Sequence, residues 1–414
     1  MKTWRKFPRS LSPLLIGVWL LVGTCHAADD IAIGMSAAFT GPSAELGIEL
    51  YRGSMAYFTS VNDAGGILNR KVALKVYDDQ YDPDRAIENT ITLIERDGVT
   101  ALFNYVGTPT VTRVLPLLRH YREKSVLLFF PYTGAQPHRE PPYNTFVFNL
   151  RASYRQETEG LVNHFVEIGR KRIAIFYQAD AYGRSGWAGV RRALAEHALQ
   201  LVGEATYRRG TKSTESFQEQ VNILHAATPD AMIIVGSYAA AAGFIRDARE
   251  SGLTVPIANL SFVGSEAMLQ LLQAAGTARG KDYTDNLITS QVVPSYEDLT
   301  IPAVREYREL MDRFNPPPPP HLVTAPPQPF HYSFTSFEGF LNAKLLTALL
   351  RGRAQTAAST PLTAFIETVG AYDLGLVNPV SFGPDRHQAL DDVYYTTVQE
   401  GHFVPITDWS RWLQ

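Results

Sequence analysis

Small groups of hydroxyl, glycine and carboxylate residues follow predicted strands at six places in this 414-residue chain. The groups are Thr40-Gly41-Pro42, 105–110, 131–135, 178–183, 236–238 and 264–266. Those in the first half offer neutral hydrogen-bond donors, whereas those in the second half offer tyrosines and two acids, Asp180 and Glu266. A carboxylate accepts several hydrogen bonds and an ammonium group needs an acidic partner, so this division suits a zwitterion. Each group alone is consistent with an ordinary turn, but six such groups together favour a binding site.

The elements that must position these groups alternate between short apolar strands and helices. The alternation runs through residues 31–130 and begins again after Asn149-Leu150-Arg151, where it continues to residue 259. Such a pattern implies βαβ units and mostly parallel sheets, so we predict an α/β fold with two doubly wound sheets. Ligands of such sheets bind outside the carboxyl ends of the strands, which is where the six groups fall.

The first strand-loop-helix unit, Ile31 to Gly66, shows what such a loop can do. Gly41 lets the backbone come close to a ligand, and Pro42 suits the first turn of a helix. The free N–H groups at the start of a helix favour a negatively charged group. Leu46 begins the apolar face of the helix that follows. We therefore expect an anion or a carboxylate near this loop.

Other chemistry is disfavoured by the spacing of the candidate residues. The acidic run 78–84 lacks the glycine of a calcium loop, and Asp82 with Pro83 is better explained as the start of a helix. Residues 276–281 are one residue short of a phosphate loop. The ten histidines lack metal-ligand spacing, and there is no nucleophile elbow or dinucleotide fingerprint. We predict no catalytic residues, no metal and no cofactor.

The N-terminal 28 residues have the composition of a secretory signal peptide. Four basic residues precede the uncharged run 11–22, whose 12 residues are too few for a membrane span of about 20. Cys25 is the only cysteine and stands beside the expected cleavage site, and lipid attachment there is the alternative to simple cleavage. Loss of residues 1–27, which hold four basic and no acidic side chains, moves the formal charge from −3 to −7. Nucleic acid is a disfavoured partner of such an acidic surface.

The C-terminal third contains an unusual segment and a long helix. Residues 315–329 hold most of their prolines in two runs, which predicts an extended surface loop that acts as a spacer. Residues 334–351 predict an amphipathic helix with a stripe from Phe337 to Leu349. Residues 394–398 and 402–405 are predicted as closing strands.

Several of these segments together resemble the type I periplasmic solute-binding proteins of ABC importers, in the leucine/isoleucine/valine-binding branch. The segments are IAIGMSAAFTGPSAELG, VNDAGGILNRKVALKVYDDQYDP, RIAIFYQADAYG, DAMIIVGSYAAAAGFIRDARESGL and FVGSEA. The resemblance implies two lobes joined by a three-crossover hinge that closes over the ligand. It places lobe 1 at residues 30–149 plus 287–370 and lobe 2 at 150–286 plus 371–414.

The resemblance also implies roles for nine residues. It assigns the ligand carboxylate to Gly107 and Thr108 and to Tyr132, Thr133 and Gly134. It assigns the ammonium group to Glu266, Tyr182 and Tyr238, and it makes Leu46 a determinant of pocket shape. Amino-acid binders have a serine in place of Gly107 and an aromatic residue in place of Leu46, and related branches bind amides, urea-like compounds or aromatic acids. The identity of the ligand therefore stays open.

These features lead us to expect an exported, monomeric, non-enzymatic protein of the periplasm. It would capture an amino acid or a close analogue and deliver it to an inner-membrane ABC permease. The alternative function is a periplasmic sensor that reports the ligand to a signalling receptor, and a hydrolase on a similar two-lobed scaffold is a third.

Overall fold

Two α/β units make up the computed structural model, which describes residues 1–4, 29–323, 328–357 and 360–414. The strands are β1 Ile31–Ala37, β2 Val72–Asp78, β3 Ala101–Phe103, β4 Leu128–Phe129, β5 Val147–Phe148, β6 Ile173–Gln178, β7 Gly203–Tyr207, β8 Ala231–Val235, β9 Ile257–Asn259, β10 Leu287–Gln291, β11 Tyr394–Gln399 and β12 His402–Pro405. The helices are α1 Ala44–Asp63, α2 Pro83–Glu95, α3 Thr108–His120, α4 Tyr154–Glu167, α5 Ala181–Glu196, α6 Gln218–Ala226, α7 Tyr238–Glu250, α8 Ser265–Arg279, α9 Pro302–Phe314, α10 Phe334–Ala354 and α11 Leu362–Thr368. The predicted signal peptide, residues 1–28, lies almost wholly outside the described residues.

Each unit is built on its own sheet. The first sheet has the order β2-β1-β3-β4-β5, and all of its strand pairs are parallel. The second has the order β12-β11-β10-β9-β8-β6-β7, with only the β10–β11 and β11–β12 pairs antiparallel. Central strands such as β8 are buried along their whole length because helices cover both faces of the sheet. The predicted α/β fold with two mostly parallel sheets is confirmed.

The chain passes between the two units three times. It crosses after Phe148, after Gln291 and before Tyr394, since β11 and β12 complete the second sheet while α9 and α10 contact α1 of the first unit. Strand β10 pairs with β9 and β11, so residues 287–291 belong to the second sheet. The sequence-based boundary at residue 287 had placed this strand in the first lobe.

Local sequence explains where the helices begin. The Asp82 carboxylate accepts from the backbone N–H groups of Asp84 and Arg85, and Pro83 occupies the first turn, so the predicted start of α2 is confirmed. Helix α4 begins with a capping box between Ser153 and Gln156. That cap fixes α4 directly after the first crossover, and therefore fixes the direction in which Tyr154 leaves the backbone.

Helices α1 and α10 approach each other unusually closely. A Cβ atom at Gly53 would lie 1.7 Å from the Ser336 carbonyl oxygen, and one at Gly339 would lie 2.2 Å from the Leu50 carbonyl oxygen. The helix predicted at 334–351 is confirmed, but it is buried on nearly all sides from Phe334 to Leu349, so the prediction that it is amphipathic was wrong. The side of α10 that carries Ser336 and Gly339 is buried against α1. This packing fixes the first turns of both helices, which enter the cleft between the two units.

Candidate functional site

The sequence-predicted site residues lie where strands end and helices begin. Thr108 opens α3 after β3, Tyr238 opens α7 after β8, and Glu266 lies in the first turn of α8 after β9. Parallel strands place these ends at one edge of each sheet. The structure therefore brings residues from both units to one cleft, with two chemically different ends.

The first end consists of Thr108 and Thr133, and we call it the hydroxyl end. Both threonines are buried, and their Oγ1 atoms lie 2.7 Å apart, within hydrogen-bond distance. The Ala135 N–H donates to the Thr133 oxygen at 3.3 Å. This end thus offers hydroxyl groups without a formal charge.

Glycines permit the close packing around the hydroxyl end. Gly107 has φ +104°, and a Cβ there would lie 2.0 Å from Cε2 of Tyr81. At Gly134 a Cβ would lie 2.4 Å from Cδ1 of Tyr154. The backbone thus requires glycine at 107, and the Tyr154 ring requires it at 134.

Tyr132 lies behind the hydroxyl end and links the two units. Its hydroxyl donates to the Ser261 carbonyl oxygen at 3.2 Å and lies 3.2 Å from the Thr335 hydroxyl. The Arg151 guanidinium stacks over its ring at 4.4 Å from the centroid. Burial raises the pKa of Tyr132 above its usual range. Tyr132 is therefore a neutral inter-unit contact as well as a predicted ligand contact.

The second end consists of Glu45, Glu49 and Glu266, and we call it the acidic end. Burial raises the pKa of Glu266 to about 7, and its Oε1 accepts from the Phe334 N–H at 3.2 Å. Burial also raises the pKa of Glu45 to about 7, with the nearby charge of Glu49 acting in the same direction. The three carboxylates line a cavity of about 10 Å³, which has room for about one water molecule.

Only Glu266 of these three acids was predicted from the sequence. Glu49 is 2% exposed and pairs with Arg52 at 2.8 Å, and its Oε2 accepts from the Ser333 hydroxyl. Glu45 and Glu49 are four residues apart, so they share a face of α1. Charged residues beside Leu46 on an apolar helix face were the signal that could have identified them.

Leu46 and the predicted tyrosines line the cleft around these ends. Leu46 is buried, and a Cβ at Gly264 would lie 2.6 Å from its Cδ2 atom, so the two units meet here. The Tyr238 hydroxyl accepts from the Glu45 N–H at 3.3 Å, and the Tyr182 hydroxyl donates to the Gly236 carbonyl oxygen at 3.4 Å. Both hydroxyls are therefore occupied by protein groups in this closed arrangement.

Phe262 fills the centre of the cleft. Its ring centroid lies 4.5 Å from that of Tyr182, 5.3 Å from that of Tyr132 and 6.1 Å from that of Tyr81. Neither Phe262 nor Tyr81 was identified from the sequence, since they reach the cleft from segments 181 residues apart in the chain. Phe262 thus joins tyrosines from both units into one aromatic cluster in the cleft.

The loop at Thr40-Gly41 receives an internal anion. The Asp78 carboxylate accepts from the Phe39 and Thr40 N–H groups and from the Thr40 hydroxyl. Helix α1 begins at Ala44, so Pro42 precedes the helix instead of occupying its first turn. The negative group expected at this loop is therefore met by Asp78, at the end of the neighbouring strand.

Within the described part of the chain, no helix is long and apolar enough to cross a membrane. The same residues contain no group of three or more His, Cys, Asp or Glu side chains placed to hold a metal ion.

The comparisons with known proteins agree with this architecture. A family model described as periplasmic binding protein matches residues 30–402. The chain belongs to the periplasmic binding protein family. Its homologues include Leu/Ile/Val-binding proteins, and the family consists of solute-binding proteins.

Three relatives of this periplasmic binding protein illustrate the range of similarity. An amino acid binding protein of Pseudomonas aeruginosa is 26% identical over 64% of this chain and 67% of its own length. The crystal structure of a possible leucine/isoleucine/valine-binding protein from Rhodopirellula baltica has a TM-score of 0.80 and 29% identity, covering 95% of this chain and all of that one. A branched chain amino acid ABC transporter protein from Thermus thermophilus with bound valine has a TM-score of 0.77 at 17% identity, covering 92% of this chain and 96% of that one, and shares the fold.

Proposed function

We propose that this periplasmic binding protein captures an amino acid or a close analogue and delivers it to an inner-membrane ABC permease. The observation that carries the proposal is the chemical division of one cleft. The hydroxyl end suits a carboxylate, and buried Glu266 at the acidic end suits an ammonium group. The Thermus thermophilus structure with bound valine supports an amino acid as the ligand class.

The proposal includes a role for each of the nine predicted residues. Thr108 and Thr133 receive the carboxylate beside Tyr132. Gly107, whose N–H donates to the Tyr132 carbonyl oxygen, and Gly134 allow the close packing that positions the two threonines. Glu266, Tyr182 and Tyr238 receive the ammonium group, and Leu46 limits the ligand side chain. The two tyrosine hydroxyls exchange their present protein partners for the ligand as the cleft opens and closes again.

The remaining expectations form part of the same proposal. Residues 1–28 direct export to the periplasm, and the mature protein is a monomer that releases its ligand unchanged. The lobes are those expected from the sequence with two changes: β10 moves to the second lobe on the basis of its strand pairing, and residues 374–382, which pack on Lys344, Phe130 and Phe148, move to the first. Closure of these lobes around the ligand follows the hinge behaviour known for such proteins.

The test is a thermal-shift screen of the mature chain against amino acids, their amides and aromatic acids. A ligand present at about 100 times its Kd stabilises the native state by about 2.7 kcal/mol, which raises Tm by several degrees. We expect at least one amino acid to do so and fragments that lack either the amine or the carboxylate to do so weakly. Failure of every amino acid in the screen would contradict the proposal.

A further inference from the structure

The Tyr154 hydroxyl differs from those of the tyrosines around it. Tyr154 is fully buried, yet its hydroxyl forms no hydrogen bond of acceptable geometry with the described residues. The nearby tyrosines all have partners: Tyr132 bonds Ser261, Tyr182 bonds Gly236, and Tyr81 and Tyr207 both bond Gln178. A buried hydroxyl without a partner costs free energy, so its retention needs an explanation.

The backbone aims Tyr154 at the hydroxyl end. It is the first residue of α4, where the capping box fixes its direction, and its N–H donates to the Gly134 carbonyl oxygen at 2.7 Å. Its ring packs against Tyr182 with centroids 5.2 Å apart. Its hydroxyl lies beside that of Thr108. Tyr154 therefore covers the threonine pair from the side of the first crossover.

This arrangement has more hydroxyl protons than acceptors for them. Thr108 and Thr133 have two hydroxyl protons, and the bond between them uses one of these. The second threonine proton and the Tyr154 proton are left to donate. These two O–H groups converge, so each can donate a hydrogen bond to one of the two oxygens of a carboxylate.

The buried guanidinium group of Arg151 lies close to these donors. Arg151 is 1% exposed, and its Nε and Nη1 atoms have no hydrogen-bond partner among the described residues. Its Nη2 donates to the Ser261 hydroxyl, and its Nε lies 3.6 Å from the Glu338 carboxylate. Burial raises the pKa of Tyr154 and the Arg151 charge lowers it, so the phenol remains a neutral donor beside a positive charge.

We propose that Tyr154 is a ligand-binding residue that donates a hydrogen bond to the ligand carboxylate, with Arg151 supplying the positive charge behind it. The inference rests on the proposed function and extends it, because it makes the ligand an anion at this end. A carboxylate accepts from both donors, whereas the NH₂ group of the corresponding amide offers only more donors. The cleft therefore discriminates carboxylates from their amides through Tyr154.

The test compares Tyr154→Phe with the wild-type protein and with Tyr283→Phe. Tyr283 is a buried tyrosine outside the cleft whose hydroxyl bonds Glu250, so it controls for the loss of a buried phenol oxygen. Calorimetry with L-leucine, L-valine and benzoate, and with leucinamide, valinamide and benzamide, measures the preference for a carboxylate. For the carboxylates that bind, Tyr154→Phe should weaken affinity by roughly ten- to a hundredfold, should weaken the amides far less, and should leave the Tm of the free protein unchanged or higher.

Each other outcome overturns a different statement. Unchanged carboxylate affinity in Tyr154→Phe would remove Tyr154 from the site while the solute-binding function stands. An equal loss for acids and amides, or a lower Tm of the free variant, would assign Tyr154 a structural role. A wild-type protein that binds amides but no carboxylates would contradict the anion subsite alone, and failure of every amino acid in the thermal-shift screen would contradict the proposed function as well.

Discussion

Burying the polar groups of the hydroxyl end costs much less free energy than burying those of the acidic end of the cleft. Thr108 and Thr133 are buried but neutral, and they satisfy each other at 2.7 Å. The acidic end places three carboxylates around one small cavity, and among the described residues Arg52 alone forms an ion pair with one of them. Burying hydroxyls that bond to each other costs little, whereas burying carboxylates costs enough to raise their pKa values. The difference teaches that the acidic end gains most from a cationic group of the ligand.

Replacing Glu266 with glutamine breaks the acidic end and should have the largest effect. The variant keeps the shape of the side chain and can still accept from the Phe334 N–H, but it removes the negative charge. We expect amino-acid affinity to fall by roughly 2 to 5 kcal/mol, the range for breaking a buried charge pair.

Calorimetry on Glu266→Gln would be run beside Glu219→Gln, which changes an exposed acid on α6. The control should bind as the wild type does. An unchanged affinity in Glu266→Gln would place the ammonium group elsewhere and leave the acidic end without its assigned role.

Replacing Thr108 with valine breaks the hydroxyl end and should have a smaller effect. The change removes one hydroxyl from the pair, and the ligand carboxylate loses one donor, which we expect to weaken binding by roughly tenfold or somewhat more. Isothermal titration of the same amino acid measures it, with Thr254→Val at an exposed position as the control. A loss equal to that of Glu266→Gln would erase the proposed difference between the two ends.

The pH dependence of binding should arise at the acidic end and not at the hydroxyl end. Its effect on affinity should be smaller than that of either substitution. An ammonium group binds the ionised form of Glu266, whose pKa in the free protein is raised to about 7 mainly by burial. Binding must then release a proton below pH 7, so affinity should fall by about tenfold between pH 8 and pH 6. Glu45 and Glu49 lie around the same carboxylate and Tyr296 bonds to it; burial raises the pKa of Glu45 to about 7, so Glu45 titrates in the same range, whereas Tyr296 stays neutral there.

The stability of the free protein should respond in the opposite direction. The folded protein holds the Glu266 proton more tightly than the unfolded chain does, so its contribution to stability falls as pH rises from 4.5 to about 7. Thermal unfolding and calorimetry of the wild type and Glu266→Gln across pH 5 to 8 measure both effects. If Glu266→Gln keeps the full pH dependence of binding, the titrating group is not Glu266.

The sequence predicts the sheets well because their signal is local. Buried parallel strands such as β8 are continuous apolar runs, and the loops after them carry the turn residues, so Thr108, Tyr238 and Glu266 could be placed without long-range information. Strand β10 was misassigned because its membership depends on pairing with β9 and β11, and β11 begins more than 100 residues later in the chain. No local pattern encodes such pairing.

The missing parts of the site have the same cause. Tyr154 and Arg151 lie at the first crossover, where the strand-helix alternation restarts, but only the fold shows that this crossover covers Thr108 and Thr133. Phe262 reaches the cleft through a short turn that has no distinctive sequence. Side chains supplied by crossovers need the tertiary structure before their role can be seen.

Arg52 has a consequence for how this protein could change or be engineered. Its guanidinium donates to the carbonyl oxygens of Pro316 and Phe330, so one side chain of α1 holds both stems of the proline-rich segment. Doubling the length of a loop with fixed ends costs only about 0.6 kcal/mol, so residues can be added at exposed positions such as Pro320 and His321 with little loss of stability, whereas the buried Pro318 and Pro319 must be kept. Because Phe330 also lines the acidic end, a fluorescent reporter grafted between the stems would sit close to ligand capture without interrupting either sheet.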